Sequence, residues 1–143
     1  MDIRQELKDL YFKRKLINSY TRQLKDIEEI GTTLPPVFSS DDRVQTSRKT
    51  GSKIEDYVVA KMELEDKIKV QKADTVQSMN LIKDLLKGLN VKEKLIIELR
   101  YMEGLEWYQI CDETGYSSQH SFAIHKNALN LIEKNYKNIH QSW

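Results

Sequence analysis

From residue 53 to residue 87 the chain contains no glycine and no proline. Ile54, Tyr57, Val58, Leu64 and Ile68 begin an apolar stripe at helical spacing, and Val76, Met79, Ile82 and Leu86 finish it. Between them, residues 69–75 are polar nearly all round. A single helix of about 35 residues, roughly 50 Å at about 1.5 Å per residue, is the simplest reading. So thin a stripe does not hold an isolated helix in water, because propensity alone is too weak. The helix therefore needs a partner of similar length.

The chain supplies one. Over residues 1–30, Ile3, Leu7, Leu10, Ile17, Tyr20, Leu24 and Ile27 recur in steps of three and four, opposite a face crowded with Arg4, Lys8, Lys13, Lys15, Arg22 and Lys25. Gly31-Thr32-Thr33 is expected to stop this helix, and Pro35-Pro36 to prevent a restart. Residues 37–52 are polar, rich in small side chains and without period. Residues 31–52 thus read as a linker, with Arg43, Arg48, Lys49 and Lys53 as a solvated basic group. An antiparallel helix pair over residues 1–88, or a four-helix homodimer of two such pairs, would bury both stripes. Only 5 Gly and 2 Pro occur in 143 residues, and hydrophobic residues are 39% against 31% charged. That balance suits long exposed helices better than a thick globule, and an all-α fold is expected.

The chain changes character at Gly88. Gly88 reads as the residue just past a helix end with Leu89 as its apolar follower, and Asn90 with Glu93 forms a capping-box pattern for the next helix. That helix, residues 91–102, is expected to bury Leu95, Ile96, Leu99 and Met102 and to end near Gly104. A short helix from Trp107 follows, with Glu106 as a poor N-cap and Trp107, Ile110 and Cys111 inward. Gly115 then fits a turn held at positive φ, Tyr116 plugs the turn, and Ser117 caps a final helix. Helical spacing places Ser121, Ile124, Ala128, Leu131 and Ile132 inward. Ser118, Gln119, Phe122, Ala123 and Lys126 face outward, with His120 and His125 toward the edges.

Helix, tight turn, helix is the arrangement in which a second helix enters the major groove of DNA. On this reading residues 89–143 form a helix-turn-helix domain and its DNA-binding residues are Ser117, Ser118, Gln119, His120, Phe122, Ala123 and Lys126. Gln119 would pair with adenine, Ser118 with a base or phosphate, Phe122 or Ala123 with a thymine methyl, and Lys126 with a phosphate. The charge is awkward for such a role, since DNA-binding domains usually carry a basic face and this chain nets only +1. Residues 1–88 carry 17 basic and 15 acidic side chains, and residues 89–143 carry 6 and 7, a net of −1. Strong non-specific DNA binding is not expected from residues 89–143 alone.

Other chemistries find little purchase. There is no phosphate-cradling glycine-rich loop, and the carboxylates are dispersed along helical faces. His120, His125 and His140 lack metal-ligand spacing, so neither catalysis nor a metal or other cofactor is expected. Cys111, the single cysteine, admits no internal disulfide and reads as a small hydrophobe at a close helix crossing. The charged opening MDIRQELKDL is unlike a signal peptide, and no apolar run approaches a membrane span, so no membrane partner is expected.

Residues 89–132 resemble region four of bacterial sigma factors, in which a helix ending in Arg-Tyr precedes the motif; Arg100-Tyr101, Gly104, Ile110, Gly115, Ser117 and Ala128-Leu129 stand at the corresponding places. The strings ELRYMEGLEWYQI, TGYSS and AIHKNAL, with DDRVQTSRKTGSKIEDYVVAKMELEDKI upstream, are similar to small sigma-region-four-like regulators of Gram-positive phages and prophages, of the ArpU and RinA types. The resemblance implies a cytoplasmic regulator of late phage or prophage genes, acting on double-stranded DNA with bacterial RNA polymerase. It places base-reading side chains at Ser118, Gln119 and Ala123. This chain departs from it with Ser118 and Ala123 where Arg or Lys is frequent, Ser121 where an aliphatic plug is usual, and Glu106 where Thr is common. The alternative is a protein-interaction module that binds polymerase or another phage or host protein through its helical arm.

Overall fold

The computed structural model describes residues 2–34 and 44–141, the side chains of 44–51 and 141 excepted. The linker between them, including Arg43, and the side chains of Arg48 and Lys49 lie outside the described residues, as does Trp143. The fold is all-α, with no strand among the described residues. Helix α1 is Ile3–Thr32, α2 is Val44–Lys83, α3 is Val91–Ile97, α4 is Trp107–Thr114 and α5 is Ser118–Gln141. No helix among the described residues is long and apolar enough to cross a membrane.

The residues group into two compact units. One holds residues 17–72, and the other joins residues 1–16 to residues 73–143. The helical pair expected over residues 1–88 therefore contributes to both.

In the unit of residues 17–72, α1 and α2 run antiparallel. Ile17, Leu64 and Ile68 are buried, Tyr20 lies under the Lys67 ammonium at 5.8 Å, and Gly31 meets Tyr57. Two expectations need correction here. The segment 44–52, read as linker, is helical, because its polar composition does not forbid a helix that continues into a breaker-poor run. Helix α1 ends at Thr32, within the Gly31-Thr32-Thr33 stretch expected to stop it. Gly31 also makes room: a Cβ there would run into the Tyr57 ring. Val58 and Val76, expected in the stripe, are 43% and 52% exposed, whereas Thr75, in the stretch read as polar all round, is buried. The inward face of α2 thus drifts relative to the sequence stripe.

The other unit is built around α3, which buries side chains on two sides. Ile97, with Tyr101 and Met102, joins Ile3, Leu7 and Leu10 of α1, Ile82, Leu85 and Leu86 at the end of α2, and Ala128, Leu129 and Ile132 of α5. Ile96 and Leu99 face the other way, onto Ile110 and Ile124, with Leu105, Trp107 and Tyr116 packed around them. Neighbouring helical positions serve the two faces, and α3 then passes into a single π-helical turn, Glu98–Met102, closed by Glu103 N–H donating to Glu98 O at 3.0 Å. Leu95, expected inward, is 39% exposed, and Ile97 is fully buried. On α5, likewise, Leu129 is buried and Leu131 is at the surface.

The helix ends are closed by side chains. Asn90 and Glu93 form the expected capping box at the start of α3, with Glu93 N–H donating to Asn90 Oδ1 at 2.8 Å and Asn90 N–H to Glu93 Oε1 at 3.0 Å. The 3-10 turn Asp84–Leu86 ends α2, and Gly88 follows at φ 90°. Carbonyls left without helical partners there are taken by Asn135 of α5, whose Nδ2 donates to Leu85 O and Lys87 O at 3.0 Å each. Lys13 binds Asp74 at 2.9 Å and Ser78 Oγ at 3.0 Å, one turn apart on α2, and so sets the register of the α1–α2 crossing in this unit.

Candidate nucleic-acid interface

Helix α4 begins after Glu106, whose backbone is extended at φ −73° and ψ 156°. Its N–H donates to Gln109 Oε1 at 2.8 Å. The carboxylate is gripped from α1: Lys15 Nζ lies 2.7 Å away and the Tyr11 hydroxyl donates at 2.7 Å, with Arg100 Nη1 at 3.9 Å. Bonding to Lys15 first, and then to Tyr11, holds the Glu106 carboxyl below the usual carboxylate range. A fixed negative charge at a helix N-terminus also complements the helix dipole. The poor N-cap expected from sequence is thus built into a network that reaches across 95 residues of chain.

Arg100 sits at the centre of that network. Its guanidinium lies over the Tyr11 ring at 4.1 Å and the Trp107 ring at 4.9 Å, and its Nη1 donates to Leu105 O at 3.0 Å. The cation thus contacts two aromatic rings while its fork still donates, a combination the planar guanidinium suits better than an ammonium. Trp107 in turn meets Phe122 and His125 edge-on, each at 4.9 Å. The His125 ring receives the Tyr101 hydroxyl at Nε2, 2.6 Å away, once it is neutral. Burial, with Arg100 and Arg4 nearby, lowers its pKa to about 4. His125 is therefore an uncharged spacer at neutral pH.

The turn from α4 to α5 is Gly115-Tyr116-Ser117. Gly115 has φ 76°, a conformation that costs residues with a Cβ, and its N–H closes α4 on Cys111 O at 2.9 Å. Ser117 Oγ accepts from His120 N–H at 3.1 Å and so caps α5 as expected. The two helices cross where small side chains meet: Cys111 Sγ lies 3.7 Å from Ser121 Oγ and 3.9 Å from Ser118 Oγ. Ser121 is fully buried, and the Cys111 thiol lies within reach of its hydroxyl.

The seven residues expected to face DNA are brought together on the first turns of α5. Ser117, Ser118, Gln119, His120, Phe122, Ala123 and Lys126 are all exposed. Gln119, Phe122, Ala123 and Lys126 form one stripe at i, i+3, i+4 and i+7. Phe122 is 49% exposed yet held from behind by Trp107, their rings at 78°. His120 packs edge-on against Tyr116 at 4.7 Å. One residue near this face was missed in the sequence. Lys92, at the start of α3, stands over the Tyr116 ring at 6.0 Å and brings a cation to the turn. Tyr11 and Lys15 were missed as well, and no local pattern could have linked them to Glu106.

Among the described residues, no group of three or more His, Cys, Asp or Glu is placed to hold a metal ion. Compared with known proteins, the chain matches no family model, no curated protein and no solved structure.

Proposed function

We propose that the protein is a DNA-binding transcriptional regulator of phage or prophage genes, similar in design to sigma-factor region four, acting in the bacterial cytoplasm at promoters together with host RNA polymerase. The observation that carries this reading is the α4–Gly115–α5 corner. Its second helix is capped at Ser117 and presents Gln119, Phe122, Ala123 and Lys126 as a single exposed stripe. A helix presented by its N-terminal turns is the shape the major groove admits. Gln119 has the donor and acceptor to pair with adenine, while Lys126 and Lys92 have the charge for phosphates.

The test is duplex binding as a function of salt, using promoter DNA of the genes the protein controls. Gln119→Ala is expected to cost about 1–3 kcal/mol, the worth of a good base contact. Lys126→Ala is expected to weaken all duplexes alike and to reduce the salt slope by about one. Absence of duplex binding at low salt would refute the proposal.

A second reading draws on the helical arm, where Val58, Val59 and Met62 of α2 are 43%, 53% and 58% exposed. A row of that kind suits a protein partner, either a second copy of the chain or polymerase itself. Retention of polymerase without measurable duplex binding would favour this alternative. A homodimer would place two α5 helices on half-sites a whole number of DNA turns apart. Light scattering at tens of micromolar is expected to give the dimer mass, and a monomer mass would remove that part of the proposal.

A further inference from the structure

We infer that the exposed stripe of α5 reads A·T base pairs in the major groove, with Phe122 against the thymine methyl and Gln119 on adenine. The inference rests on the DNA reading proposed above and gives it a substrate class. Three features of α5 carry it.

The first is Phe122. Its ring is 49% exposed on an otherwise polar helical face and offers an apolar surface to whatever lies against α5. This ring is not loose, because Trp107 meets it edge-on at 4.9 Å, and Trp107 is itself fixed beneath Arg100 and beside His125. A rigid apolar edge is therefore presented outward with its position set before any ligand arrives. In the major groove the one apolar feature on a base edge is the C5-methyl group of thymine.

The second is Gln119, one turn before Phe122 and exposed. Its amide offers the acceptor and donor that match adenine N6–H and N7. Ala123, beside Phe122 on the stripe, is too short to obstruct close approach to the groove floor.

The third is what the face lacks. α5 contains no arginine, and Lys126, its first lysine, lies more than two turns beyond the Ser117 cap. The base-reading end of such a helix is its N-terminal part, so Lys126 falls over the backbone rather than over guanine O6 and N7. Arginine and lysine, the commonest readers of guanine, are thus absent from the turns that reach the bases.

The experiment is selection of bound duplexes from a random pool with the full chain, followed by re-amplification of the selected pool with altered nucleotides. Copying with dUTP removes every thymine methyl, and copying with 7-deaza-dATP removes adenine N7. The selected pool is expected to be richest in A·T at its most constrained positions. Its dU copy is expected to bind at least fourfold more weakly, the equivalent of about 0.8 kcal/mol for one buried methyl. Phe122→Ala should bind the dT and dU pools equally, while Phe122→Leu, which keeps an apolar edge, should still prefer dT. Gln119→Ala should lose the discrimination against 7-deaza-adenine and keep that against dU. Selection of G·C at the constrained positions, or equal binding of dT and dU pools by the unaltered protein, would overturn the inference and leave DNA binding standing. A pool that is never retained, even at low salt, would overturn the DNA reading itself and this inference with it.

Discussion

Arg100 makes the most demanding prediction about how the candidate interface is held. Its side chain is only 18% exposed, and it does three things at once. It lies over two aromatic rings, donates to the Leu105 carbonyl at 3.0 Å, and stands 3.9 Å from Glu106. A cation–π contact at a partly desolvated site is worth about 0.5–2 kcal/mol, and a hydrogen bond from a charged donor about 1.5–3 kcal/mol. The Glu106 contact is long and partly solvated, so it adds at most about 1 kcal/mol. These gains overlap and are offset by the desolvation of the guanidinium, so Arg100→Ala is expected to destabilise by about 2–4 kcal/mol. Arg100→Lys should recover less than half of that, because ammonium keeps the charge but loses the planar stack and the fork. Urea unfolding at neutral pH measures both, and a double-mutant cycle with Trp107→Leu isolates the stacking part. A loss below about 0.5 kcal/mol for Arg100→Ala, or full rescue by lysine, would refute the reasoning, since these values belong to an ordinary surface charge.

Acid should weaken the same region through His125. Its folded pKa of about 4 lies below the ordinary 6.5, so the unfolded chain binds the proton more readily. The stabilisation is full above pH 6.5 and is lost as pH falls toward 4. The complete shift would correspond to about 3 kcal/mol, and partial exposure of the ring reduces this to about 1–2 kcal/mol. His125→Gln, which still accepts from Tyr101, should flatten the stability profile between pH 6.5 and 4.5; an unchanged profile there would exclude the histidine as its cause. In the helical arm, Gly31→Ala should be neutral to destabilising, because the new methyl displaces the Tyr57 ring, but stabilising by up to about 1 kcal/mol in a Tyr57→Ala background. Equal effects in both backgrounds would rule out the close approach. At the turn, Gly115→Ala should cost about 1 kcal/mol or more through its positive φ alone, since no heavy atom lies within 4 Å of the added Cβ, and Gly115→Asn less. Thermal unfolding separates the two.

The elements that were legible in the sequence are those fixed by local chemistry. The Asn90–Glu93 box, Gly88 and Gly115 at positive φ, the Ser117 cap and the buried Ser121 each follow from one or two neighbouring residues. The outward stripe of α5 is equally local, because 3.6 residues per turn decide it once the cap is placed. What escaped is whatever depends on distant chain. Ile97 is in the core and Leu95 is not because α3 packs on two sides, which no single amphipathic stripe encodes. Residues 44–52 read as linker by composition, and only their continuity with a long helix overrides that. The partnership of Tyr11 and Lys15 with Glu106 could not be seen at all before α1 was placed beside α4.

That partnership also changes how the charge of the candidate interface is to be understood. Residues 89–143 alone net −1, but the unit that contains them also takes in residues 1–16 and 73–88. Counted together, these residues hold 13 basic and 12 acidic side chains. Several of the acids are engaged inside the fold: Glu93 in its capping box, Glu106 with Lys15 and Tyr11, and Glu133 with Arg4. Bonding to Arg4 holds the Glu133 carboxyl low, as bonding to Lys15 does for Glu106. An internally neutralised carboxylate repels a phosphate far less than a bare one. Around the α5 stripe the cations are Lys126 and Lys92, which corresponds to a salt slope of about −2 at roughly −0.9 per phosphate. So shallow a slope describes a modest grip, whose selectivity would come from base edges more than from charge. Replacing Glu106 by Gln tests the chain of reasoning directly. If the carboxylate is neutralised as its partners imply, Glu106→Gln should leave the salt slope unchanged while loosening the hold of α1 on α4, whereas a steeper slope would mean that Glu106 acts as a free charge facing the phosphates.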